Sequence, residues 1–210
     1  MRYDTDHKRH TREEILAAAA RQFRERGFDR ASVGSIMKEA GLTHGGFYAH
    51  FESKDDLIAN VISGGFDHVT ERFEQQFNHL QGEDWLKQWV QRYLSDTHYR
   101  ATDLGCPMPA LAGEIARSGE RACRAFTELF EERMQRVMSH VDAPTEEARR
   151  RVLAAVSQMT GAMMLARALD NALADDIRAA ASACAVAVLT GRAIETVRNE
   201  TETETKAASR

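Results

Sequence analysis

The sequence predicts an all-α fold, with an N-terminal three-helix helix-turn-helix head and a C-terminal helical body. Three observations predict it. The 210 residues hold only three prolines and are rich in Ala, Glu and Arg, which favours helix. Apolar residues recur at steps of three and four along most of the chain, and no run alternates with the period of a strand. Residues 32–51, SVGSIMKEAGLTHGGFYAHF, read as two short helices around a Gly-containing turn.

The elements follow in order. Residues 1–10 read as a charged, flexible arm, with Arg2, Lys8, Arg9 and the following Arg12 as candidates to reach a phosphate backbone, or as a simple disordered terminus. Thr11 to Glu14 is a T-x-x-E capping box. It opens a helix to about Arg26 with Ile15, Ala19 and Phe23 on one face; Gly27 ends it and Phe28 closes the contact beyond. Ser32 caps the next helix, and Gly41 supplies the turn. Thr43 caps a second helix carrying Phe47 and Phe51 on its inner face. Together these segments bury a small core around Ile15, Leu16, Phe23, Phe28, Val33, Ile36, Phe47 and Phe51.

Ser53 opens a long helix traced to about Leu80 by Ile58, Ile62, Phe66, Val69, Phe73 and Phe77, with Gly64-Gly65 as a bend or packing point. Glu83 to about Tyr99 forms the next helix. Pro107 and Pro109 start a short one ending near Arg117, and Ser118 to His140 forms another. Pro144 then starts a helix to about Leu169. After a break at 170–176, a last Ala- and Val-rich helix runs to about Val197. The count is three helices in a head (1–52) and six in a body (53–198). Residues 199–210 are a polar tail expected to be disordered.

Composition limits the function classes. Hydrophobic residues are 43% and charged residues 29%, as in ordinary globular proteins. No run approaches 18 apolar residues, so no membrane partner is expected. The N-terminus has no apolar core of a signal peptide, so the expected location is cytoplasmic. Net charge is -4 but unevenly spread. Residues 1–54 hold 10 Lys+Arg against 8 Asp+Glu, a balance of +2, and the other 156 hold 18 against 24, a balance of -6. A basic head on an acidic body suits a nucleic-acid partner. Three cysteines at 106, 123 and 184, without C-x-x-C spacing, point to free thiols, with no metal site and no cofactor expected. An all-helical enzyme is the rival class. The sequence has no paired Glu-x-x-His, His-Glu-x-x-His, P-loop or Gly-x-Ser-x-Gly motif, and Ser35-x-x-Lys38 lacks companions. An interaction module whose head binds protein is the other alternative.

With these parts in order, the chain resembles the TetR/AcrR family of one-component transcriptional repressors. The resemblance is carried by Thr11–Ala19, Phe23, Gly27-Phe28, Ser32–Ile36, Ala40–Thr43, Gly45–Phe51 and Ser53–Leu57, roughly the first quarter of the chain. In the body only the helix count and a Gly-Cys-x-x-x-x-Leu-Ala-x-Glu stretch, Gly105 to Glu114, add to it. The resemblance implies a homodimer through the last two helices, reading a near-palindromic double-stranded DNA operator with two heads about 34 Å apart. It also implies a small-molecule effector whose binding in the body releases DNA.

The expected DNA-binding residues are Ser32, Thr43, His44, Gly45, Gly46, Tyr48, Ala49, His50 and Lys54. By resemblance Tyr48 and Lys54 contact phosphate. Thr43 caps its helix and donates to phosphate. His44 is the base-edge candidate, while His50 reads equally as a packing histidine. Gly45, Gly46 and Ala49 leave few side chains to read bases, so specificity leans on a thymine methyl against Ala49 and on DNA shape. In the body, Phe66, Trp89, Tyr93, Met108, Phe126, Met159 and Met163 are candidates to line an effector cavity, with core packing as the plain alternative. Cys106 precedes Pro107 near a helix start, where the dipole lowers a thiol pKa. It is the candidate electrophile sensor, or else a small buried hydrophobe.

Overall fold

The structure, a computed structural model, describes residues 2–65, 75–100, 106 and 108–192. Nine α-helices and one 3-10 helix lie among them. They are α1 (Arg2–Arg30), α2 (Val33–Glu39), the 3-10 helix His44–Ala49 and α3 (Lys54–Gly65). The body continues with α4 (Gly82–Tyr93), α5 (Asp96–Arg100), α6 (Met108–Ile115), α7 (Glu120–Met138), α8 (Thr145–Ala168) and α9 (Asn171–Thr190).

Several boundaries correct the sequence reading. The expected flexible arm is helical from Arg2, so Thr11 is a buried residue within α1 and not its cap. No Gly or Pro interrupts residues 2–26. Helical pairs Arg9–Asp6, Arg9–Glu13 and His10–Glu14 line the extension. At the other end Gly27 stands at φ 78 and ψ 173, so the regular helix does stop beside Arg26. The expected helix 83–99 is two, because Ser95 starts afresh: its Oγ accepts the His98 N–H at 3.2 Å. The last helix begins at Asn171, earlier than expected, and closes on Gly191 in the left-handed conformation. Phe66, Val69 and Phe73 and the tail 199–210 lie outside the described residues.

Two apolar clusters organise the molecule. The first joins Ile15, Phe23, Phe28, Ile36, Met37, Phe47 and Phe51 of the head to Leu57 and Ile62 of α3, Leu111 and Ile115 of α6, and Leu129 of α7. The second holds Trp85, Trp89, Tyr93, Met134, Val137, Val152, Met159, Met163 and Leu189. α7 therefore enters both clusters. α6 does so too, since Met108 packs on the second. A polar seam closes the head against the body. Buried Asp56 accepts the Glu52 N–H at 3.0 Å, the Asn60 amide at 2.8 Å and the Arg121 guanidinium at 3.0 Å. Arg12 donates to Asn60 at 2.7 Å and lies 4.7 Å over the Phe51 ring. Among the described residues no helix is long and apolar enough to cross a membrane.

Candidate nucleic-acid interface and body core

Ser32 starts the head's outer face. Its Oγ accepts the Ser35 N–H at 3.0 Å and caps α2. Ser35 donates to Gln22 at 2.7 Å, and Gln22 and Arg21 both donate to the Glu39 carboxylate at 2.5 Å. These bonds fasten α2 to α1. The Gln22 bond, then that of Arg21, holds the Glu39 carboxyl below its ordinary range against the opposing effect of burial.

The second helix-turn-helix element is a 3-10 turn and not an α-helix. Gly45-Gly46 explains this, since each Gly costs about 1 kcal/mol in an α-helix relative to Ala. The Gly46 N–H bonds the Thr43 carbonyl at 3.1 Å and the His50 N–H bonds the Phe47 carbonyl at 2.9 Å. Thr43 sits at the cap position with extended backbone, but its side chain makes no cap bond. That part of the expectation is corrected: its carbonyl already takes the nearby Gly46 donor. Phe47 and Phe51 stack inward, 5.6 Å between ring centroids. Outward stand Thr43, His44, Gly45, Ala49 and Tyr48, the last 67% exposed. The His44 and Tyr48 rings meet edge-on at 6.5 Å.

Two expected contact residues are less free. His50 is partly buried and its Nδ1 has no hydrogen-bond partner among the described residues. Burial, then Lys8 and Arg12, pushes its pKa below the ordinary histidine value. Lys54 is partly buried, and its ammonium donates to the Phe28 carbonyl at 2.5 Å. An ammonium has two further donors.

The body candidates separate. Trp89, Tyr93, Cys106, Met108, Met159 and Met163 come together in the second cluster. Phe126 packs against the first, and Phe66 lies outside the described residues. The Tyr93 and Thr160 hydroxyls share a hydrogen bond of 3.3 Å. Cys106 departs from the expected chemistry: burial pushes its thiol pKa up, outweighing the Met108 backbone bond that lowers it. The cost of enclosing a thiolate exceeds the benefit of the helix start. The sequence reading missed His98, which accepts the Cys106 N–H on Nε2 at 2.8 Å and bonds the Tyr93 carbonyl through Nδ1 at 2.5 Å. It also missed Arg167, which donates to the His98 carbonyl at 2.9 Å. Neither has a sequence signal, because both pairings cross from one element to another.

Comparison with known proteins bears on the same regions. The family model "Bacterial regulatory proteins, tetR family" matches residues 15–61. The HTH-type transcriptional repressor KstR2 of Rhodococcus jostii is 33% identical over 72 residues, 34% of this chain and 35% of that protein. The chain's matches span about a third of the length of its first curated relatives. A TetR transcriptional regulator from Chloroflexus aurantiacus superposes with TM-score 0.72 at 24% identity, covering 91% of this chain and 98% of that one. The regulator FadR from Bacillus subtilis, solved in complex with stearoyl-CoA, superposes with TM-score 0.63 at 15% identity, covering 86% and 99%. Residues 15–61 thus carry the signature of the tetR family of regulatory proteins, and the described residues share the all-helical fold of solved TetR-family regulators.

Proposed function

We propose that the chain is an effector-responsive, DNA-binding transcriptional regulator, and a repressor acting as a dimer in the cytoplasm. The observation that carries this is the outer face of the 3-10 element. Exposed Thr43, His44, Tyr48 and Ala49 surround a bare Gly45, while Phe47 and Phe51 anchor the element from behind. Small residues let backbone approach a groove, and Tyr48 and Thr43 offer hydroxyls to phosphate. Repression is supported by the likeness to KstR2, and a body effector by the likeness to FadR with its bound acyl-CoA. For the dimer, the support is a row of exposed Met164, Leu165, Leu169 and Leu173 across the end of α8 and the start of α9.

Fluorescence anisotropy on a duplex from the gene's own upstream region tests the reading. Affinity should fall steeply between about 50 and 200 mM salt, as phosphate contacts require. No binding at low salt sinks it. The electrophile reading of Cys106 has its own test: Cys106→Ser should abolish release by thiol-reactive compounds, and unchanged release removes the thiol from the mechanism.

A further inference from the structure

We propose that Glu114 is a positioning residue for DNA binding: from the body it grips the Phe28 backbone and thereby sets the orientation of the head. The proposal rests on the regulator reading and concerns how its two parts are joined.

Gly27 breaks the ladder of α1 at φ 78, and the Phe28 N–H then finds its acceptor on another helix. That acceptor is the Glu114 carboxylate, 86 residues on, near the end of α6. Any side chain at position 27 would run into the same carboxylate, so Gly27 serves both the turn and the close approach. Lys54, first residue of α3, takes the Phe28 carbonyl at 2.5 Å. Donor and acceptor of one residue are thus held by two different helices of the body. The Phe28 ring packs edge-on against Phe23 at 5.0 Å in the head core. Four residues later Ser32 caps α2, so the placement of Phe28 sets where the helix-turn-helix begins.

α6 is a rod of eight residues, about 12 Å long. Met108 at its start packs on the body cluster with Trp89, Tyr93 and Met163. Leu111 and Ile115 farther along are buried in the head cluster. Packed clusters do not deform smoothly, so a displacement at Met108 moves the rod as a unit and carries Glu114 with it. The Glu114 grip is the point where that movement meets the head. This gives the glutamate of the Gly105–Glu114 stretch a role.

The test uses the full chain, hydrogen exchange at the Phe28 amide, and binding to a 30-base-pair duplex at low salt. Glu114→Ala should speed Phe28 exchange about tenfold, and Glu114→Gln, which keeps an acceptor oxygen, by less than about threefold. Met108→Trp, a bulky perturbation of the body cluster, should weaken DNA binding about fivefold or more in the parent and less than about twofold with Glu114→Ala. Met108→Ala replaces it if the Trp variant fails to fold. Unchanged Phe28 exchange in Glu114→Ala overturns the proposal. So does an equal effect of the Met108 change in both backgrounds, or no effect in the parent. A parent chain that binds no duplex sinks the regulator reading alone, since the exchange rates judge the grip independently.

Discussion

His98 is 5% exposed and fully committed: Nδ1 to the Tyr93 carbonyl, Nε2 to the Cys106 N–H. These partners suit the neutral ring with its proton on Nδ1. Burial, the largest influence on the ring, lowers its pKa to about 4 from 6.5. The sign follows from linkage. Above pH 6.5 the ring is neutral in folded and unfolded chains alike. As pH falls from 6.5 towards 4 the unfolded chain takes up the proton first, so stability drops. The full span is on the order of 3 kcal/mol. The difference in urea midpoint between parent and His98→Gln should therefore shrink or reverse between those pH values. Parallel pH profiles would show that His98 is not the titrating group. The same enclosure explains why Cys106 could not be read from sequence. Its helix-start position was legible, but the burial that raises its pKa depends on side chains brought in by α4, α5 and α8.

At the scale of the element, the 3-10 turn is where local propensity and function pull apart. Gly45 has nothing within 4 Å of where a Cβ would stand, and its φ is not positive. Gly45→Ala should then stabilise the free protein by about 0.4–1 kcal/mol, read from the urea midpoint. The same change should weaken DNA binding if backbone approaches the groove there. Unchanged or tighter binding would show that the bare surface serves no contact. Periodicity made most helices legible, and the buried faces of α7 and α8 carry Leu129, Met134, Val152, Met159 and Met163 at helical spacing. It failed where a change of element depends on one hydrogen bond, as at Ser95. It failed again at 170–176, which reads as polar loop. There Ala174 is fully buried, and Arg178 pairs with Asp175 one turn earlier, so the stretch is the first turn and a half of α9.

At the scale of the whole molecule, α8 and α9 pack on each other and leave the Met164–Leu173 row facing outward. On the proposed dimer reading, replacing Leu165 and Leu173 by Glu should yield a monomer in analytical ultracentrifugation, with secondary structure kept and affinity for DNA reduced. A double variant that remains dimeric would place the interface elsewhere. The sequence by itself determined the helical class, the head with its cap at Ser32 and its core of Ile15, Phe23, Ile36, Phe47 and Phe51, and the resemblance of that head to the tetR family signature. Those depend on local periodicity, capping and turn residues, whose physics acts over a few positions. Only the tertiary structure decided that the second head element is a 3-10 turn, that Phe126 belongs to the head's cluster and not to the body's, and that Lys54 and Glu114 meet at Phe28. These outcomes turn on desolvation and on hydrogen bonds between residues up to 86 positions apart, which no local pattern encodes.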